Sequence, residues 1–295
     1  MAPLPPTSAG ADVVAPFSAG CGRPQHPAPD GATDCHHHIF DPRFPRANGR
    51  TGVWATVSDY RQLQRRLGFN RSIVVSPGSY GFDNSALVDA LDQLGDSARG
   101  VAAVQASVTA EELARLHRHG VRGIRLYLGG DTRRTPDEII AFARLVAPLG
   151  WHIQILPDLG GSSLEAAESV LKTLPCPLVL DHLAYVPQPE GIQSARWAAV
   201  RRLLDGGNTW VKLSGAYITS QIGRPNYVDT HGIARELIRV APERLVWGTD
   251  WPHTLVSDAL PDDAQLVDDF ADWAPSKPLR QRILVDNPSV LYWAL

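Results

Sequence analysis

The chain has 295 residues, of which 44% are hydrophobic and 20% are charged, and a formal net charge of −3. This balance is typical of a globular protein with a large core, and it gives no electrostatic reason to expect nucleic acid or an anionic membrane as a partner. The three cysteines, Cys21, Cys35 and Cys176, are far apart and show no CxxC spacing, which argues against a disulfide framework or a cysteine zinc site.

The beginning of the chain differs in composition from the remainder. Residues 1–30 are rich in Pro, Ala, Gly and Ser, with neither a basic start nor a continuous apolar run. We therefore expect a disordered or loosely packed N-terminal arm, no secretion signal and a cytoplasmic location. No later segment reaches the roughly 18 apolar residues that span a bilayer. Residues 31–295 are predicted to form a single catalytic domain.

The first strong signal is a run of three histidines, His36, His37 and His38, in a predicted strand that begins at Thr33. Side chains alternate along a strand, so His36 and His38 point to one side and His37 points to the other. Two imidazoles on one side can converge on a divalent metal or on a polarised carbonyl oxygen. A structural hydrogen bond is the ordinary alternative for any single histidine.

Short apolar runs alternate with amphipathic stretches along the rest of the chain. The predicted strands are Thr33–His38, Arg71–Ser76, Gly100–Gln105, Gly123–Leu128, Trp151–Leu156, Leu178–His182, Trp210–Ser214 and Leu245–Thr249. Helical patterns include Asn84–Leu94, Ala110–His119, Pro136–Ala147 and Leu164–Leu174. Apolar strands alternating with helices over about 260 residues predict a (β/α)8 TIM barrel. A doubly wound open sheet is the alternative, but no Gly-rich dinucleotide turn follows the first strand.

Polar residues occur at nearly every predicted strand end, where the active site of a (β/α)8 barrel forms. Such groups are costly to bury without a function. The candidate site residues at these ends are Ser79, Tyr80, Arg125, Tyr127, Gln154, His182, Ser214, Asp250 and His253.

Strand alternation helps to choose between neighbouring candidates. Arg125 is preferred to the arginine three residues earlier, because the two must face opposite sides. His182 is preferred to Asp181, because the pair alternates and His182 lies nearer the strand end. Lys212 and Ser214 share a face, either as a satisfied core pair or as substrate contacts.

Asp250 stands at the end of the eighth strand, which closes the barrel beside the first. This position predicts that its carboxylate lies next to His36 and His38. A carboxylate there can act as a general base toward water, as a metal ligand, or as both.

Several short motifs occur together in the chain. They are Asp34-x-His36-x-His38, Asp181-His182-Leu183, Val211-Lys212-Leu213-Ser214-Gly215, Trp247-Gly248-Thr249-Asp250-Trp251-Pro252-His253 and Asn287-Pro288. In this combination the chain resembles the amidohydrolase-related (amidohydrolase 2) family over about residues 30–295. It is most similar to the branch that holds 2-pyrone-4,6-dicarboxylate lactonase and D-galactarolactone isomerase. The resemblance implies a TIM barrel and lactone chemistry centred on His36, His38, His182 and Asp250.

The function implied by this resemblance is hydrolysis of a lactone ring from a sugar acid or an aromatic-catabolite acid. Asp250 would take a proton from water while the three histidines polarise the carbonyl. The residues expected to bind the small-molecule substrate are Ser79, Tyr80, Arg125, Tyr127, Gln154, Ser214 and His253. Alternatives are lactone isomerisation, with a substrate hydroxyl as the nucleophile, and a non-catalytic binding protein on the same scaffold; decarboxylation is a third.

The cofactor expectation comes from a departure from the superfamily. Its metal-dependent members usually carry a carboxylate or modified lysine on strand four and a histidine on strand five, where this chain has Arg125 and Gln154. We therefore expect no required cofactor, or one divalent ion (zinc or manganese). The ligands of such a mononuclear site would be His36, His38 and Asp250.

A second departure concerns substrate charge. Related lactonases often carry arginines at positions where this chain has Tyr185 and Ile218. The pocket has thereby lost positive charge, which disfavours a dicarboxylate substrate and leaves Arg125 as the main cation to orient a carboxylate.

Overall fold

A computed structural model describes residues 14–49, 51–256 and 259–294. Eight strands follow one another around a barrel in chain order, and each pairs in parallel with the next. They are β1 (Thr33–His37), β2 (Arg71–Val75), β3 (Ala98–Ala102), β4 (Val121–Tyr127), β5 (His152–Leu156), β6 (Leu178–Leu180), β7 (Thr209–Leu213) and β8 (Leu245–Trp247). The predicted (β/α)8 barrel is confirmed.

Helices connect the strands, as the amphipathic patterns predict. The α-helices of the described ranges are α1 (Val57–Leu67), α2 (Ser85–Leu94), α3 (Ala110–Arg118), α4 (Pro136–Val146), α5 (Ser163–Leu171), α6 (Ala195–Asp205), α7 (Ala216–Thr219), α8 (His231–Val240), α9 (Asp263–Trp273) and α10 (Lys277–Gln281). Among these, no helix is long and apolar enough to cross a membrane.

Strands β6 and β8 end earlier than the sequence pattern predicts. After β6 the backbone takes a left-handed turn, with φ between 51° and 55° at all four residues from His182 to Tyr185. The left-handed conformation costs roughly 1–2 kcal/mol for each residue with a Cβ atom, so it persists only where surrounding contacts enforce it. None of the four is glycine, and the turn therefore has no sequence signature.

The barrel closes through residues that follow β8. The amide of Asp250 donates to the carbonyl of His36 at 2.8 Å, and the amide of His38 donates to the carbonyl of Trp251 at 2.8 Å. A Cβ atom at Gly248 would lie 2.6 Å from the backbone nitrogen of His36, so only glycine permits this approach. We call these contacts the closing seam. It places Asp250 beside the histidines of β1.

A buried carboxylate holds the closing seam together. Asp34 accepts hydrogen bonds from the amide of Thr249 at 3.0 Å and from its hydroxyl at 2.7 Å. It also accepts from the Tyr60 hydroxyl at 2.9 Å and from the amide of His36 at 3.2 Å. Burial raises the pKa of Asp34 to about 6, although these hydrogen bonds oppose the shift. Asp34 therefore serves closure of the barrel.

Residues 14–32, here called the N-terminal segment, lie against the barrel. The sequence predicts a loose arm over 1–30; residues 1–13 lie outside the described residues. The carbonyl of Pro16 accepts a 2.7 Å hydrogen bond from the Trp251 indole. The buried guanidinium of Arg66 on α1 donates to the carbonyl of Ala19 at 2.9 Å. Although its composition predicts loose packing, this segment makes specific contacts with the closing seam and with α1.

Candidate active site

Four of the predicted site residues meet around one oxygen atom. Oδ1 of Asp250 lies 3.6 Å from Nε2 of His36, 3.7 Å from Nε2 of His38 and 3.9 Å from Nε2 of His182. The two β1 histidines approach each other to 3.4 Å between their Nε2 atoms. All four side chains are buried. The ends of β1, β6 and β8 thus bring a carboxylate and three imidazoles together.

Burial sets the charges of this cluster. It lowers the pKa of His38 to about 4 and holds the pKa values of His36 and His182 below the ordinary value, so all three rings are neutral at pH 7. Burial alone would raise the pKa of Asp250. The three imidazoles and a hydrogen bond from Tyr217 outweigh it and hold that pKa well below its usual range. The site is an ionised carboxylate facing neutral imidazoles.

The hydrogen bond of His38 fixes its tautomer. Its Nδ1 lies 2.7 Å from the carbonyl oxygen of Val75 on β2. A carbonyl can only accept, so Nδ1 carries the proton of the neutral ring. Nε2 of His38 is therefore a bare acceptor that faces the site.

The Nδ1 atom of His36 has two neighbouring polar groups. Nδ1 lies 3.3 Å from Nζ of Lys212 and 3.3 Å from Oδ1 of Asp181. If Lys212 donates to Nδ1, Nε2 carries the proton and faces the site as a donor. If Nδ1 donates to Asp181, Nε2 is bare and can bind a metal ion. Both proton arrangements use the same neighbours.

Asp181 is the centre of a polar network beneath the histidines. Its Oδ2 accepts from Nε of Arg125 at 2.9 Å and from the Gln154 amide at 3.0 Å. The amide oxygen of Gln154 in turn accepts from Lys212 at 2.7 Å. Arg125 and Gln154 therefore lie inside the barrel, and Lys212 joins them as part of the polar core.

Asp181 and His182 both point into the barrel, whereas strand alternation predicts that only one does. The difference arises because β6 ends at Leu180 and the left-handed turn begins at His182, so alternation no longer applies. In this turn, Nδ1 of His182 lies 3.0 Å from the Ser214 hydroxyl, and the ring stacks on that of Tyr185 at 5.8 Å. Ser214 thus supports a site histidine.

Two cavities open at this end of the barrel. One, of about 650 Å³, is lined by Tyr80, Arg125 and Tyr127 among others, and the other, of about 510 Å³, by Ser79 and His253 among others. The hydroxyls of Ser79 and Tyr127 are buried without a hydrogen-bond partner among the described residues. The Tyr80 hydroxyl instead accepts from the amide of Asp41 at 2.9 Å. Tyr127 and Ser79 therefore have free hydrogen-bonding capacity.

Tyr217 is a site residue that the sequence pattern did not select. It lies on α7, and its hydroxyl donates to Oδ2 of Asp250 at 2.5 Å. Nδ1 of His253 lies 3.3 Å from the same hydroxyl, and Nε2 of His253 lies 3.1 Å from Oδ2 of Asp263. Both ring nitrogens of His253, a predicted substrate contact, thus face protein groups. A sequence signal for Tyr217 is its place just after β7.

The cluster fits one divalent metal ion. One ligand atom from each of His36, His182 and Asp250 lies within 4.8 Å of the others. Two neutral imidazoles and one carboxylate are a donor set used by catalytic zinc. Oδ1 of Asp181 lies 3.3 Å from Nδ1 of His36, and it can accept the proton that metal binding leaves on that nitrogen.

The ligand set in this cluster differs from the predicted set in one member. The sequence predicted His36, His38 and Asp250, whereas the compact triad contains His182 in place of His38. The Nδ1 hydrogen bond to Val75 anchors the His38 ring toward β2. His38 remains beside the triad.

A parallel barrel with buried histidines and a carboxylate at its strand ends is the architecture of a hydrolytic barrel enzyme. Residues 33–292 match the family model described as Amidohydrolase, and the chain belongs to this family.

The names of several similar proteins describe reactions of lactones. The chain is 37% identical to the 2-pyrone-4,6-dicarboxylate hydrolase of Comamonas testosteroni, over 93% of this chain and 94% of that protein. It is 34% identical to the 4-sulfomuconolactone hydrolase of Rhizobium radiobacter, over 90% of each. It is 30% identical to the D-galactarolactone isomerase of Agrobacterium fabrum, over 92% and 94%. An apo crystal structure from Agrobacterium tumefaciens superposes with a TM-score of 0.85 at 28% identity, covering 95% of this chain and 99% of that one.

Proposed function

We propose that the protein hydrolyses the ring ester of a lactone derived from a sugar acid or an aromatic acid, with Asp250 as the general base. The observation that carries this proposal is the ionised Asp250 oxygen turned toward three neutral imidazoles in a buried site. Two lactone-ring hydrolases among the similar proteins support the same reaction class.

In the first step, Asp250 takes a proton from a water molecule as the water oxygen attacks the lactone carbonyl. A carbon–oxygen bond forms, and the carbonyl electron pair moves onto its oxygen. His36 stabilises this oxyanion through Nε2–H while Lys212 donates to its Nδ1. His182 can do the same when the Ser214 hydroxyl donates to its Nδ1. His38, with a bare Nε2, accepts rather than donates.

In the second step, the tetrahedral intermediate collapses and the ring carbon–oxygen bond breaks. The ring oxygen leaves with the proton that Asp250 took from water, so Asp250 ends the cycle ionised. The product is the open-chain hydroxy acid, which contains all the atoms of the lactone and of one water.

Arg125 and Tyr127 are proposed to orient a carboxylate on the substrate. Arg125 lies in the wall of the larger cavity. The Nε atom of its guanidinium group donates a hydrogen bond to Asp181. The Tyr127 hydroxyl lies in the same wall without a partner in the described chain. A guanidinium and a phenol together match a carboxylate and a neighbouring hydroxyl.

A divalent ion on His36, His182 and Asp250 would act as a Lewis acid on the lactone carbonyl. We propose that at most one ion, zinc or manganese, binds and that turnover does not require it. Elemental analysis followed by exhaustive chelation tests this. Full loss of activity on chelation, restored by one equivalent of zinc or manganese, would overturn the proposal but leave the residue assignments intact.

Isomerisation is the second candidate, because one similar protein is a lactone isomerase. In that reaction a substrate hydroxyl replaces water as the nucleophile. Turnover in oxygen-18 water separates the two reactions, since hydrolysis places label in the product carboxylate and isomerisation does not.

The proposed function is tested with a panel of lactones in a pH-indicator assay, followed by Asp250→Asn on the best substrate. We expect turnover to fall at least about a hundredfold at unchanged melting temperature. Asp268→Asn is a matched control, because Asp268 is a buried aspartate that accepts from the amides of Gln25 and His26, away from the site. Near wild-type turnover of Asp250→Asn would refute the mechanism.

A further inference from the structure

We infer that Tyr217, His253 and Asp263 form a hydrogen-bonded chain that holds Asp250 in its working orientation. These three are positioning residues, and the inference rests on the proposed role of Asp250 as the base. The chain runs from Oδ2 of Asp250 through the Tyr217 hydroxyl and the His253 ring to Oδ2 of Asp263. Its contacts measure 2.5, 3.3 and 3.1 Å.

The hydrogen-bonded chain is built from three separate elements; Tyr217 is partly buried, and the other two residues are fully buried. Tyr217 lies on α7, His253 follows β8, and Asp263 is the first residue of α9. The side chains of His253 and Asp263 are 0% exposed. Burying an imidazolium and a second carboxylate is costly for the fold. An arrangement that spans three elements to reach one oxygen of Asp250 therefore points to a role at that residue.

The directions of the hydrogen bonds follow from the proton count. An ionised carboxylate can only accept, so the single phenol proton of Tyr217 points at Asp250. The phenol oxygen is then left to accept from Nδ1 of His253. Asp263 accepts from Nε2 of the same ring, so both ring nitrogens carry a proton and His253 is the imidazolium cation. Each contact in the chain thus has one donor and one acceptor.

As a consequence, the two carboxylate oxygens of Asp250 have different partners. Oδ2 accepts from Tyr217, and Oδ1 is the oxygen that contacts the three site histidines. The backbone is held as well: Asp250 has a φ of 64°, and its carbonyl accepts from the amide of His253 at 2.9 Å. Without the chain, the carboxylate could rotate and turn Oδ1 away from the attacking water.

The far end of the chain is anchored to the N-terminal segment. The amide of Asp263 donates to the hydroxyl of Ser18 at 3.2 Å, and Trp251 in the closing seam donates to the carbonyl of Pro16. The start of α9 is therefore fixed relative to the seam that carries Asp250. This rigid support is what a positioning chain requires.

The test compares Tyr217→Phe, Asp263→Asn and the double variant on the best lactone. We expect Tyr217→Phe to lower kcat about 10- to 100-fold, as is typical when an outer partner of a site carboxylate is removed, with KM changed less than about twofold. Asp263→Asn should lower kcat less. Because Asp263 acts through Tyr217, the double variant should be no slower than Tyr217→Phe alone.

Tyr227→Phe is the matched control, because the ring of Tyr227 packs 6.1 Å from that of Tyr217 and its hydroxyl lies outside the chain. Its kcat should stay within about twofold of wild type. A second readout needs no substrate: the short Tyr217–Asp250 contact should give a downfield hydroxyl proton resonance. We expect this resonance to disappear in Tyr217→Phe and to shift in Asp263→Asn, or in His253→Gln if that aspartate variant does not fold.

Three results would overturn the inference. They are unchanged kcat in Tyr217→Phe, losses that multiply in the double variant, or a loss confined to KM, which would make Tyr217 a substrate contact. Failure of the proposed function looks different, because Asp250→Asn would then keep its rate, or no lactone would turn over. In that case the proton resonance and its response to the variants still decide whether the hydrogen-bonded chain from Asp250 to Asp263 exists.

Discussion

The closing seam should depend on one hydroxyl group, that of Thr249. It donates to Asp34 at 2.7 Å and accepts from the amide of Trp251 at 3.1 Å. Thr249→Val preserves shape and removes both contacts. A hydrogen bond to a charged group contributes about 1.5–3 kcal/mol, and leaving a buried amide without an acceptor costs about 1–3 kcal/mol. We therefore expect the free energy of unfolding to fall by about 2.5–6 kcal/mol.

Urea denaturation at pH 7 measures this loss, with Thr249→Ser as the matched control. Serine keeps the hydroxyl and removes one methyl group, so it should cost only about 1 kcal/mol. Tyr60→Phe removes another donor to Asp34 and should fall between them, at about 1.5–3 kcal/mol. If the free energies of unfolding of Thr249→Val and Thr249→Ser differ by less than about 1 kcal/mol, the Thr249 hydroxyl does not hold the closing seam.

Three further predictions concern substrate charge, pH and the N-terminal segment. Arg125→Lys should raise KM for an acidic lactone and leave a neutral lactone unaffected, because lysine lacks the guanidinium fork; equal losses would mean a structural role. Burial, with charge from neighbouring aspartates, raises the pKa of Asp269 to about 7. The protonated carboxyl group of Asp269 therefore stabilises the fold fully below pH 3.8, and this stabilisation is lost as the pH rises through 7. Asp269→Asn should therefore raise the melting temperature by about 2 °C or more at pH 8 but less at pH 5, and the reverse trend would contradict this. Relative to a chain that starts at Val14, one that starts at Arg23 should melt several degrees lower, because it lacks the contacts to Trp251 and Arg66; equal melting temperatures would show that these contacts contribute little.

The barrel could be predicted because its strands are apolar on both faces. The β6 strand Leu178–Leu180 and most of β2 are buried throughout, as a parallel sheet covered by helices requires. The regular alternation of such runs with amphipathic helices leaves few other architectures. The part of the site that could be predicted consists of residues at strand ends, because the strand ends of such a barrel share one face.

The remaining parts of the site depend on geometry that local sequence does not encode. His182 enters the barrel beside Asp181 because of a left-handed turn that contains no glycine. Tyr217 and Asp263 reach Asp250 through the packing of α7 and α9, which no periodicity describes. The N-terminal segment is held through the backbone carbonyl of Pro16. Because every residue has a backbone carbonyl, the sequence contains no signal for this contact.

The closing seam has a consequence for how the enzyme is made. Its partners Asp34 and Thr249 are 215 residues apart, so a ribosome adding about 5–20 residues per second needs about 10–40 s to produce the second after the first. During that time β1 has one unpaired edge, and its apolar and histidine-bearing surface is open to other chains. A nascent chain that stops before Asp250 has neither the proposed base nor the closing seam. Activity and protection from aggregation are therefore acquired together, at the last strand.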